Sequence, residues 1–257
     1  TVTMVAINSE AKLADVNLNQ TVRTLNYDHI PKISILEPAA IMIVPLELPV
    51  ISGKILYIEG SGDEVDESLE LIGYQVDRKS LSGVTSKEMQ AYEAVIIGIR
   101  AYNTNDELPA YQGKLMEYVK AGGNVIVQYN TSYGMKLEQI GPYPLTLGRE
   151  RVTEEDAKPT FVYADHAVFN RPNKISMADF DGWVQERGLY FASKWDEAYA
   201  PLIAWSDKGE EPVNGGLLCA KYGEGSFFYT GISFFRELPA GVPGAYRLFV
   251  NMIEYKP

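Results

Sequence analysis

The residues best placed for chemistry lie in the stretch "GGNVIVQYNTSYG", residues 122–134. A short apolar run rich in Val and Ile ends abruptly in Tyr129, Asn130, Thr131 and Ser132. Many α/β enzymes seat a nucleophile where a buried strand ends in this way. The reactive groups on offer are two adjacent hydroxyls, Thr131 and Ser132. Each needs a general base, and no Ser-x-x-Lys or Gly-x-Ser-x-Gly pattern supplies one. The one cysteine, Cys219, falls inside "GGLLCAKY", where a buried thiol acts as a small apolar filler. One cysteine allows neither an intrachain disulfide nor a multi-cysteine zinc site.

Other candidates are open to two readings each. In "EGSGDEVDE" two glycines follow an apolar run, as in phosphate loops, but the Lys and third glycine of those motifs are missing. Four acids there would repel phosphate. Glu59 or Asp63 is a cleft-facing acid for sugar hydroxyls or an amine, or else the stretch is a well-capped helix start. "GIRAYNTN" sets Arg100 and Asn103 just past a strand, where open α/β sheets bind ligands. Arg100 calls for a partner, either a ligand or a carboxylate such as that of "QERG". His166, in "YADHAVFNRPN", organises its loop or contacts a ligand. Neither Asp28–His29 nor Asp165–His166 makes a metal set alone. "DFDGWVQERGLYF" gathers Trp183, Glu186, Arg187 and Tyr190, which suits a sugar face stacked on rings; an internal ion pair beside a packed Trp is the alternative. Arg236 and Glu237 lie just past another strand. No catalytic residue, metal ligand or cofactor site is expected.

The elements that must position these groups divide in two. Residues 1–50 show no helical period and carry Pro31, Pro38, Pro45 and Pro49, a density that suits extended edges and linkers. They read as a β-rich tail or linker from a preceding domain. From residue 51 strand and helix alternate. "GKILYIEG", "YQVDRKS", "AVIIGIR" and "NVIVQY" are strands. "DEVDESLELIG" and "PAYQGKLMEYVKAGG" are helices, the first with acids in the turn that the macrodipole favours. The second has Tyr111, Leu115, Tyr118 and Val119 on one stripe. Continuous apolar runs imply strands covered on both faces, and repeated βα units imply a parallel sheet. "MKLEQIGPYPLTLGRERVTEEDAKP" reads as an excursion over the sheet edge. "GGLLCAKYGEGSFFYTGI" is a hairpin turning at "YGEG". A closing helix, "GAYRLFVNMIEY", presents Ala245, Leu248, Phe249, Met252 and Ile253. The expected fold is a three-layer α/β sandwich with a mostly parallel central sheet.

Charge narrows the partners. The 257 residues carry a net −11, which argues against nucleic acid and suits small neutral or cationic molecules or sugars. The longest apolar stretch, "AAIMIVPLELPVI", is interrupted by Pro45, Glu47 and Pro49 and is shorter than the about 20 residues a membrane helix needs. The opening "TVTMVAIN" reads as a strand already under way, so a piece of a longer protein is expected, with a processed terminus as the alternative.

The phrases "YDHIPK", "GSGDEVDESLELIGYQVD", "VIIGIRAYNTN", "GGNVIVQYNTS", "GPYPLTLGRERVTEEDA", "DFDGWVQERGLYF" and "SFFRELPAGVPGAYRLFVN" together resemble the C-terminal part of large bacterial PIG-L (LmbE-like) deacetylases. The resemblance covers nearly the whole chain from Asn26. It implies a class I glutamine amidotransferase-like, flavodoxin-like domain following a zinc-dependent N-deacetylase domain. The His-Pro-Asp-Asp signature of that deacetylase does not occur here, and the only histidines are His29 and His166. In the implied fold "AVIIGIRAYN" falls at the oxyanion loop and Asn130 at the cysteine nucleophile's place. An amide cannot attack a carbonyl. The resemblance thus implies a non-catalytic accessory domain, with the deacetylase domain of the same parent chain as partner, a possible amino-sugar glycan as ligand, and an extracytoplasmic location. A hydrolase using hydroxyls or carboxylates and a purely structural scaffold are the alternatives.

Overall fold

The computed structural model describes residues 5–8, 11–13, 16–27, 29–49 and 51–257. Residues 1–4 of the opening strand pattern and Asp28 lie outside them. The chain divides into two compact units, Thr1–Glu47 and Leu48–Pro257.

The first unit contains β1 (Val5–Asn8), β2 (Ala11–Leu13), β3 (Val16–Leu18), β4 (Gln20–Leu25), β5 (Ile33–Pro38) and β6 (Ala40–Ile43). They form antiparallel pairs β1–β6, β2–β3 and β4–β5. The β4–β5 pairing sets Val22 opposite Leu36, and both are exposed.

The second unit begins with β7 (Lys54–Ile58), α1 (Val65–Leu71), β8 (Gln75–Arg78), α2 (Ser86–Met89) and β9 (Ala94–Ile97). Then come α3 (Ala101–Thr104), α4 (Leu108–Lys120), β10 (Asn124–Val127), β11 (Leu145–Leu147), β12 (Thr160–Phe161) and β13 (Ala192–Trp195). It closes with β14 (Tyr199–Pro201), β15 (Ile203–Ala204), β16 (Leu217–Tyr222), β17 (Gly225–Thr230), α5 (Phe234–Glu237) and α6 (Pro243–Ile253). One seven-stranded sheet runs β14-β16-β17-β10-β9-β7-β8. Strands β17, β10, β9, β7 and β8 are parallel, while β14, β16 and β17 pair antiparallel.

Helices on both faces explain the unbroken apolar strands. All four residues of β9 and of β10 are buried, and each fully buried Val or Ile side chain contributes about 1.5–3 kcal/mol. On α4 the buried positions are Leu108, Leu115, Tyr118 and Val119, with Tyr111 packed at the margin of the core. Helix α6 is buried more widely than its apolar stripe suggests: Gly244, Tyr246, Val250 and Asn251 are covered as well. What covers it is the long excursion after β10. The Asn251 amide donates to the carbonyls of Val168 (2.7 Å) and Asn173 (2.8 Å) and accepts from the Asn173 N–H (2.8 Å). A polar residue inside a buried helix thus ties down a segment with little regular structure of its own, and its amide is satisfied there.

Two close approaches shape the sheet's C-terminal edge. Gly60, in the loop after β7, lies so near the turn after β9 that a Cβ on it would sit 2.1 Å from the Ile99 carbonyl and 2.8 Å from the Ala101 nitrogen. Asp63 straps the same loops together: its carboxylate accepts from the Tyr57 hydroxyl (2.5 Å), the Val65 N–H at the start of α1 (3.0 Å) and the Ile99 N–H (3.1 Å).

Candidate functional site

The turn after β10 is where the sequence resemblance puts a nucleophile, and Asn130 is fully buried there. Its Oδ1 accepts from the Tyr102 N–H at 2.9 Å and its Nδ2 donates to the Gln128 carbonyl at 2.9 Å. The amide is spent on holding this turn against the start of α3. Asn103 makes the return stitch: its Oδ1 accepts from the Thr131 N–H (3.0 Å), and its Nδ2 donates to the carbonyls of Thr131 (3.1 Å) and Tyr133 (3.0 Å). Thr131 is buried, and its hydroxyl donates to the Tyr133 carbonyl at 2.9 Å. No base faces that hydroxyl among its hydrogen-bond partners, so the Asn103–Asn130–Thr131 group is a clamp between two loops.

The neighbouring turn after β9 is built differently. Arg100 has φ of +55°, the left-handed region that side chains with a Cβ seldom occupy. Its N–H donates to the Tyr129 carbonyl at 2.7 Å, and its carbonyl accepts from the N–H groups of Asn103 (2.9 Å) and Thr104 (3.0 Å). These bonds hold the backbone in a conformation costing about 1–3 kcal/mol. The Arg100 Nε is buried without a hydrogen-bond partner. The "QERG" carboxylate does not supply one: Glu186 Oε1 accepts from Arg236 Nε at 2.9 Å. Among the described residues the other non-glycine residues with positive φ are Gln185 (+54°) and Tyr190 (+52°).

Two of the three strained residues, Gln185 and Tyr190, border cavities on an aromatic and cationic surface. The Tyr129 ring stacks on Tyr190 (6.2 Å between centroids, 11°) and tilts against Phe235 (5.1 Å). Tyr133 meets Tyr190 edge-on at 6.3 Å. The Arg236 guanidinium lies 4.9 Å from the Phe235 ring centre, and that of Arg149 lies 5.9 Å from the Tyr133 ring centre. Burial raises the Tyr129 pKa, against the opposing influence of Arg100 and Arg236. A cavity of about 360 Å³ is bordered on this side by Asp63, Gln185, Phe235 and Arg236. A second, of about 470 Å³, is bordered by Arg149, Arg151, Leu189 and Tyr190. Both volumes fall in the range of small-ligand sites.

Other sequence candidates are placed elsewhere or are internally committed. Glu59 is exposed and borders a separate cavity with Arg78, Lys79, Ser80, Asn105 and Glu107. Trp183 is buried, donates its Nε1–H to the Asp179 carbonyl (2.7 Å) and packs on Phe180, Trp205 and Phe234. Arg187 is buried beneath it, 5.6 Å from its ring centre, donating to the Ala157 carbonyl (3.2 Å); burial lowers its pKa. Glu237, also fully buried, accepts from the Val184 N–H at 2.9 Å, and burial pushes its carboxyl up to about 7. Such a shift is a functional-site signal in a cleft, but a fully covered carboxyl cannot reach a substrate. His166 organises its loop: Nδ1 accepts from the Val168 N–H (3.3 Å), the ring stacks on Tyr255 at 5.2 Å, and burial lowers its pKa. Cys219 is buried in β16 with its thiol pushed up to about 12 by burial, so it is not poised as a thiolate.

Tyr133, Arg149, Arg151 and Phe235 are the surface residues that sequence reading did not single out. They come from three separate segments, and no motif spacing links them. Among the described residues no group of three or more His, Cys, Asp or Glu side chains could hold a metal ion, and no helix is long and apolar enough to cross a membrane.

No protein family model matches the chain, and no curated protein matches it. Solved structures do. PurLQS from Thermotoga maritima aligns with a TM-score of 0.55 at 13% identity, over 80% of this chain and 99% of that one. A putative GMP synthase subunit from Thermoplasma acidophilum aligns with a TM-score of 0.49 at 10% identity, over 79% of this chain and 93% of that one. At these identities the likeness concerns the fold: a class I glutamine amidotransferase-like α/β sandwich around a mostly parallel sheet.

Proposed function

We propose that this glutamine amidotransferase-like domain is non-catalytic and binds carbohydrate at the C-terminal edge of its sheet. The observation that carries the reading is the pairing of an inert seat with a built surface. Asn130 has both ends of its amide committed, while Tyr129, Tyr190 and Phe235 form a stacked wall, with Phe235 and Arg236 bordering one cavity and Tyr190 the other. Sugar rings stack their C–H faces on such rings, and guanidinium groups donate to their hydroxyls. Backbone strain gathered at Arg100, Gln185 and Tyr190 is the kind that persists where a ligand surface needs a fixed shape. In this reading the domain serves a PIG-L-type deacetylase domain in the same parent chain, in an extracytoplasmic setting.

Titration of the isotopically labelled chain with oligosaccharides, followed by NMR, tests it. The expected result is saturable shifts at Arg100, Tyr129, Tyr190 and Arg236, with no hydrolysis of glutamine or of the sugar. Absence of shifts with every neutral, amino and acidic oligosaccharide tried would sink the reading.

A further inference from the structure

The charge of the cleft runs against the charge of the chain. The protein carries a net −11, yet the charged side chains bordering the cavity of about 470 Å³ are Arg149 and Arg151, beside Leu189 and Tyr190. Arg100 acts on Tyr190 together with Arg149. Among the described residues, Arg100, Arg149 and Arg151 have no carboxylate within 4.0 Å; the ion pairs engage other cations. Two of the acids nearby are committed, while Glu150 Oε2, between the two arginines in the chain, is buried without a hydrogen-bond partner. Glu186 holds Arg236 at 2.9 Å. Asp207, which feels Arg151, accepts from the Thr153 N–H (2.8 Å), the Thr153 hydroxyl (2.7 Å) and the Glu154 N–H (2.9 Å).

Guanidinium groups left without carboxylates at a cavity mouth match a planar or tetrahedral oxyanion, which they bind through paired N–H donors. A protonated amino group would instead be repelled. Tyr190, with its ring backed by Tyr129 and edged by Tyr133, offers a flat apolar face beside that charge. We infer that the Arg149–Arg151–Tyr190 cavity takes the acidic group of an acid-bearing sugar, a uronate carboxylate or a sulfate ester, with the sugar face against Tyr190. This rests on the carbohydrate reading above and narrows its ligand to an anionic sugar.

Calorimetry on the full 257-residue chain at low salt tests the inference with four trisaccharides: trigalacturonate, sulfated galactotriose, neutral galactotriose and chitosan trisaccharide. At least one acid-bearing trisaccharide should bind about tenfold more tightly than galactotriose, the scale of one charge-assisted pair. That gap should narrow as added salt screens the charges. Whichever acid-bearing ligand binds identifies carboxylate or sulfate as the group received. The double variant Arg149→Gln/Arg151→Gln, both positions exposed, should lose about tenfold more affinity for the acidic sugar than for galactotriose. If that variant does not fold, the salt dependence of the wild-type chain still decides. Equal affinity for galactotriose and the acidic ligands, or tighter binding of chitosan trisaccharide, overturns the inference and leaves the carbohydrate reading standing. Binding of none of the four removes both.

Discussion

Arg100 follows β9 and Asn130 follows β10, two adjacent parallel strands, yet the two turns hold opposite kinds of residue. At Asn130 every side-chain donor and acceptor named above has a partner, and the backbone is outside the left-handed region. At Arg100 the backbone is strained and the buried Nε has none. In the resemblance drawn from the sequence, the turn after β10 would carry the reactive group. Here that turn is quiet, and the strain has its place one strand over. The lesson is that function in this domain is to be sought where the structure leaves a polar group unsatisfied, not where the fold family usually keeps its nucleophile.

The comparison breaks most severely if the contact supporting the Arg100 turn is disturbed. Gly60→Ala drives a Cβ toward the Ile99 carbonyl and should cost about 3 kcal/mol, the upper end for overpacking, with loss of sugar binding; urea denaturation and the NMR titration read both. Asn130→Ala comes next. It orphans the Tyr102 N–H and the Gln128 carbonyl, so a loss of about 2 kcal/mol is expected from denaturant midpoints. Asn130→Cys should lose stability similarly and gain no glutaminase activity, because the partners of Asn130 and Thr131 are backbone groups rather than a base. Glutamine turnover by that variant would show that the quiet turn retains a working oxyanion loop and base.

A smaller effect concerns the strand end after β17, where Glu237 Oε1 and Ser233 Oγ are also buried without partners. The Glu237 carboxyl is pushed up to about 7 in the fold, above its ordinary value near 4.3. The folded state therefore holds a proton that the unfolded state releases, and this contribution to stability falls as pH rises from about 4 through about 7. The difference in stability between wild type and Glu237→Gln should narrow or reverse in favour of Gln across that window, as measured by denaturation from pH 5 to 8. The smallest change sharpens the comparison itself. Arg100→Gly relieves the left-handed strain and should stabilise by about 0.5–1 kcal/mol while weakening ligand binding. If it destabilises instead, Arg100 is structural and the contrast with Asn130 disappears.

Much of the fold was readable in the chain because local patterns encode it. The unbroken runs at β9 and β10 require cover on both faces, and the "YGEG" turn sets β16 against β17. Proline density announced the extended first unit. The site was readable only in part. Asn130 and Arg100 stand out through their position at strand ends, whereas Asp63, Asn103 and Trp183, each open to a ligand reading, bond to the backbone. A polar side chain in a loop has the same sequence signature whether it meets a ligand or a neighbouring carbonyl.

Sequence by itself determined the α/β alternation, the parallel core and the absence of a thiol at the end of β10, since each depends on residues close together in the chain. Only the tertiary structure decided that Tyr129, Tyr190 and Phe235 share one wall and that Arg149 and Arg151, without carboxylates, border the cavity beside Tyr190. Those residues lie in separate segments of the chain, so their meeting depends on how strands and excursion pack, which no local spacing records.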